Sequence, residues 1–146
     1  MSRQTARVVV SSCVQDFRRL RVWHLARRLT LSVIDALPEK TARKVPGLRA
    51  QAIRAATSVE SNIAEGCARV EREEFVHFVE IAISSLNELE EQLSLAHDSG
   101  MINKDTHARH RLTIELLRRM LVSLKLTLQR RIAEDESKRL KGKRSA

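Results

Sequence analysis

Apolar residues recur along this chain every three or four positions, the spacing that gathers side chains onto one face of an α-helix. From about Arg18 to Leu37, one face carries Leu20, Trp23, Ala26, Ile34 and Leu37, while Arg21, His24, Arg28 and Asp35 fall on another. Pro38 stops this first helix, and "PEKTARKVP" reads as a polar loop. A second helix is predicted from about Gly47 to Ala64 or Glu65, with Gly66 as a left-handed C-terminal cap. Its stripe is Val45, Leu48, Ala52, Ala55, Ala56, Val59 and Ile63, and so many small residues predict a neighbouring helix at close range. A third, from about Glu71 to Ser99, turns Phe75, Phe78, Val79, Ala82, Leu86, Leu89, Leu93 and Ala96 inward and ends at Gly100. A fourth starts near the N-cap candidate Asn103 and reaches about Ala133. Leu112, Leu116, Leu117, Met120, Leu121, Leu124, Leu128 and Ile132 are its expected core residues.

Four amphipathic helices joined by short loops predict an all-α fold, an antiparallel up-down four-helix bundle. The bundle domain is placed at 17–134, between a mobile N-terminal segment at 1–16 and a basic disordered tail at 135–146. A chain of 146 residues with 3% aromatic content must build one aliphatic core. Val76, Ile81, Ile83, Val122 and Leu126 widen the apolar faces of the third and fourth helices, which predicts burial against further copies of the chain. No apolar run approaches the ~20 residues of a membrane span. Cys13 and Cys67 are isolated thiols, as expected of a cytoplasmic protein.

Charge changes the picture. The formal net charge is +9, split into a basic start (1–54), an acidic middle (55–100) and a basic end (101–146). Packing can neutralise the middle against the ends and leave a positive surplus for an anionic polymer, nucleic acid above all. Lys104, Arg111, Arg118 and Lys125 recur every seven residues, and at ~1.5 Å per residue they would make a stripe ~31 Å long on the fourth helix. Arg21 and Arg28 form a similar pair on the first. With no tyrosine and few aromatics for stacking, binding would be phosphate-driven and weakly sequence-selective. The competing reading is a merely solvated face.

Candidate reaction chemistry is sparse. Glu74-x-x-His77 has the local spacing of a di-iron ligand pair, but no second pair accompanies it. His107 and His110 stand three apart near a helix start. No nucleophile elbow, phosphate loop or dinucleotide fingerprint occurs, so no enzyme activity, metal or other cofactor is expected. The polar run "SNIAEG" (61–66) has two readings. It is either a contact patch, or a corner in which Asn62 and Ser58 hydrogen-bond between the second and third helices.

The stretches "LRVWHLA" (20–26), "GLRAQAIRAATSVESNIAEGCAR" (47–69) and "FVHFVEIAISSLNELEEQLSLA" (75–96) resemble the four-helix-bundle proteins encoded in intervening sequences of bacterial 23S rRNA genes. Arg54, Ser58, Asn62, Glu65, Gly66 and Arg69, with Ser85 on the third helix, carry the likeness. The resemblance implies a homopentameric ring of bundles without established catalysis. A more distant likeness is to the accessory variability protein of diversity-generating retroelements, which works with a reverse transcriptase and its template RNA. The resulting expectation is a non-catalytic homo-oligomer that binds RNA or DNA; the alternative is a scaffold docking a protein such as a reverse transcriptase.

Overall fold

The computed structural model describes residues 16–144, so most of the 1–16 segment, including Cys13, lies outside the described residues. A short 3-10 turn (Phe17–Arg19) leads into α1 (Arg21–Ala36), and a second (Glu39–Thr41) leads toward α2 (Leu48–Cys67). Then come α3 (Arg72–Asp98) and α4 (Lys104–Arg144), with no strand among the described residues. None of these helices is long and apolar enough to cross a membrane.

Cross-helix contacts fix the packing. Arg27 of α1 pairs with Glu60 of α2, and Arg49 of α2 hydrogen-bonds the Leu37 carbonyl at the far end of α1. Ser58 meets Ser85 across α2 and α3, and Gly66 lies against Phe75 and Phe78. Between α3 and α4, His97 stacks on His107, Arg118 reaches Glu90, Lys125 reaches Glu80 and Arg72 reaches Asp135. In each case residue numbers rise along one helix as they fall along the next. Contacts between α1 and α4, including Ser32 with His110, close the bundle.

The core is aliphatic, as the aromatic-poor composition requires. Val33, Leu37, Val59, Ile63, Val79, Leu86, Leu89, Leu93, Ile114, Leu117 and Leu121 are fully buried. On α2 the predicted stripe is buried from Leu48 to Ile63, and only Val45, before the helix, is half-exposed. On α4 the expectation fails for two residues. Leu112 and Leu116 are 73% and 52% exposed, because Ile114, Leu117, Leu121 and Leu128 make the inner face. Leucines on both sides of one helix satisfy helical spacing in either direction, so spacing alone picks the wrong set.

Two helix ends behave as their residues suggest. Gly100, at φ +76°, closes α3 in a Schellman arrangement: its N–H donates to the His97 carbonyl and the Met101 N–H donates to Ala96. Asn103 caps α4, its side-chain oxygen accepting from the Thr106 N–H at 2.8 Å. The C-terminal end of α4 differs from expectation. The helix does not stop near Ala133 but continues to Arg144. No proline interrupts it, Glu134 pairs with Arg130 one turn back, and Arg72 of α3 holds Asp135. From Glu136 onward every described residue is exposed, so this last stretch projects past the bundle.

Gly66 is also not the left-handed cap that its position suggests. It sits inside α2 with ordinary helical geometry, and it is glycine because α3 comes too close for anything larger. A Cβ there would stand 2.6 Å from the Phe75 ring and 2.8 Å from the Phe78 Cβ. Gly66→Ala gains ~1 kcal/mol of helix propensity but overpacks the contact, so a net loss of about 1–2 kcal/mol is expected. Urea unfolding of the two proteins measures it, and an alanine variant as stable as the parent would contradict the close approach.

Candidate nucleic-acid interface

The polar run at the end of α2 builds a corner rather than an open patch. The Asn62 side-chain amide donates to the Ser58 carbonyl (2.8 Å) and to the Ser58 hydroxyl (3.1 Å). That hydroxyl lies 2.8 Å from the hydroxyl of Ser85, which is buried in α3. Three small polar groups thus satisfy one another between the two helices. Glu65 pairs with Arg69 one turn later, and the Arg69 guanidinium covers the Phe78 ring at 4.9 Å. Arg54 is exposed on the outer side of α2.

The predicted cations divide by location. Arg118 is held by Glu90 of α3, by Glu115 of its own helix at 2.9 Å, and by Asn87 at 3.1 Å. Burial draws its guanidinium down, but the hydrogen bonds it donates to Glu90 and Glu115 carry it above its ordinary value. Lys125 pairs with Glu80 of α3 at 3.0 Å. The C-terminal half of the seven-residue stripe therefore faces α3 and is neutralised by it. Lys104 and Arg111 are exposed, as are Arg21 and Arg28 of α1, and among the described residues no ion pair engages these four. The six do not form one surface: Arg111, Arg118 and Lys125 lie on the α3 flank of α4, whereas Arg28 lines a groove between α1 and α4.

Several residues that matter here carry no periodic signal. Glu60 is 5% exposed on α2 and pairs with Arg27 at 2.9 Å, although that N–H is not aligned as a hydrogen bond. Burial pushes the Glu60 carboxyl up from its usual range, and Arg27 partly offsets it. His97 and His107 stack with centroids 4.7 Å apart. Burial first, then the neighbouring His97 and Arg111, hold the His107 imidazole below its ordinary range. His110 is buried, its Nδ1 2.7 Å from the Thr106 carbonyl and its Nε2 3.0 Å from the Ser32 hydroxyl. His107 and His110 thus engage different helices. Among the described residues no group of three or more His, Cys, Asp or Glu side chains is placed to hold a metal ion.

These contacts give two measurable expectations. Ser85→Ala should destabilise the chain by about 1 kcal/mol, through one lost hydrogen bond, and leave nucleic-acid binding unchanged. A binding defect in a variant of parental stability would instead make the corner a contact surface. Glu60 holds its proton more tightly when folded than when unfolded, so its contribution to stability falls as pH rises through about 4.3 toward the raised value. Glu60→Gln should flatten that part of a stability–pH profile, and an unchanged slope would show that the carboxyl is not perturbed.

A family model described as 23S rRNA-intervening sequence protein matches residues 18–123, spanning α1 to α3 and the first half of α4. No curated protein matches the chain. The match covers well over half of the sequence and includes the whole Ser58–Asn62–Gly66–Ser85 corner. The chain belongs to the 23S rRNA-intervening sequence protein family.

Proposed function

We propose that this protein is a non-catalytic, cytoplasmic homo-oligomer, pentameric as the resemblance implies, that binds RNA or DNA through phosphate contacts as an accessory factor. The observation that carries the reading is a division of charge. Carboxylates of α3 neutralise Arg118 and Lys125, while Arg21, Arg28, Lys104 and Arg111 stay exposed with no ion pair among the described residues. The projecting end of α4 adds Lys138, Arg139, Lys143 and Arg144, all exposed. Unpaired surface cations release counterions when they meet phosphates, and that release drives association.

Assembly is supported by apolar surface that the monomer leaves uncovered. Leu112, Leu116, Val122 and Leu126 are exposed along α4, opposite its buried face. Val76 and Ile83 of α3, by contrast, already pack against the monomer's own core. Surplus leucines along one helix favour burial against another copy, and a ring would repeat the exposed cations around an axis. The same leucines also support the second reading, a scaffold that docks a protein partner such as a reverse transcriptase. A partner captured from cells that stays bound after nuclease treatment would favour the scaffold.

Two measurements test the proposal. Fluorescence anisotropy with labelled RNA and duplex DNA should give an affinity that falls steeply with salt. Four duplex contacts per protomer correspond to a log–log slope of about −3 to −4. Absent or salt-independent binding would reject it. Light scattering should give a multiple of the chain mass, reduced toward a single chain by Leu116→Glu with Leu126→Glu. A parent that scatters as a single chain would remove the oligomer from the proposal.

A further inference from the structure

The groove between α1 and α4 gives the phosphate reading a location. It encloses about 350 Å³, and its lining includes Arg28 and Ser32 from α1 and Arg109, His110 and Thr113 from α4. No carboxylate lines it. Both arginines are exposed and neither is in an ion pair among the described residues. Asp105 stands one turn before Arg109 and forms no ion pair with it. This differs sharply from the opposite flank of α4, where Arg118 and Lys125 are consumed by acids of α3.

The floor of the groove is fixed by hydrogen bonds within the protein. A carbonyl can only accept, so His110 must donate from Nδ1 to the Thr106 oxygen, 2.7 Å away. The other ring nitrogen, Nε2, lies 3.0 Å from the Ser32 hydroxyl, which takes the complementary role. The Thr113 hydroxyl donates to the Arg109 carbonyl at 3.2 Å. Both ring nitrogens and both hydroxyls are therefore engaged within the protein. The donors left for a ligand are on the two guanidinium groups, of which Arg109 gives one Nη2 N–H to the Thr106 hydroxyl at 3.3 Å, and their planar geometry suits two oxygens of a phosphate. Leu25 and Leu29 supply an apolar wall beside them, which bare inorganic phosphate would not use but a sugar attached to the phosphate would.

We propose that Arg28 and Arg109 clamp a backbone phosphodiester of a nucleic acid in the α1–α4 groove, with Ser32, His110 and Thr113 as its floor. The inference rests on the nucleic-acid reading and narrows it: the strongest phosphate contact lies on the α1 flank of α4. Arg109 is the new member of the site, standing outside the seven-residue series that begins at Lys104.

The test compares the full-length parent with Arg28→Gln/Arg109→Gln and with a matched control, Lys40→Gln/Arg43→Gln in the α1–α2 connection. Anisotropy of a labelled single-stranded RNA and of a DNA duplex is read across a salt series. The groove variant should bind at least ~10-fold more weakly than the control and lose up to ~2 units of salt slope, about one per arginine. All four substituted side chains are exposed, and thermal melts of the variants should match the parent. If the parent binds with a steep salt slope but the groove variant and the control fall together, the groove assignment is overturned and the broader reading stands. If the parent binds neither nucleic acid, both fail. Displacement of RNA by inorganic phosphate beyond that by chloride at equal ionic strength would mark a free-anion site and overturn the phosphodiester assignment.

Discussion

The approach of α2 to α3 is the constraint on which the remaining structure depends. Ala52, Ala55, Ala56 and Gly66 keep α2 thin, and Phe75 and Phe78 occupy the space that a Cβ at residue 66 would need. That contact sets the register, and the register brings the Ser58 hydroxyl opposite Ser85. It also fixes which turns of α3 face α4. Glu80 and Glu90 can meet Lys125 and Arg118 only because α3 is held in that position. A steric fact about one glycine thus reaches the surface charge of a helix that it does not touch.

Charge partition follows from the same geometry. The acidic middle of the sequence lies largely on α3, and Glu80 and Glu90 there meet cations of α4 along one flank. Surface ion pairs of this kind stabilise by only a few tenths of a kcal/mol each. Their larger effect is to subtract cations from one side of the molecule. Cations outside any ion pair among the described residues include Arg21 and Arg28 on α1 and Lys104, Arg109 and Arg111 on the N-terminal half of α4, and the groove lined by Arg28 and Arg109 brings guanidinium groups of two helices together.

Much of the fold was legible because α2 and α3 each have one apolar side. Leu48 to Ile63 and Val79 to Ala96 are buried as their spacing predicts. The fourth helix was harder, since Leu112 and Leu116 lie outside while Ile114, Leu117 and Leu121 lie inside, and a count of apolar residues cannot tell two faces apart. Gly66 was identified as special for the wrong reason, because a glycine near a helix end resembles a cap and the cause is the next helix folding back against it. The Ser58–Asn62 corner was legible from residue type and spacing. The fate of Arg118 and Lys125 was not: pairing with α3 depends on inter-helix register, which a seven-residue repeat within one helix cannot report. Glu60 and Arg109 gave no periodic signal, and only the packing of α1 against its neighbours reveals them.

If the α2–α3 contact organises the molecule, it must also be the last part to open. Residue-resolved amide hydrogen exchange under native conditions measures that order directly. The slowest exchange is expected in α2 from about Ala55 to Gly66 and in α3 from about Val79 to Leu89, and the fastest helical amides in α4 beyond Asp135. Exchange from α2 and α3 as rapid as from the projecting end of α4 would contradict the central claim.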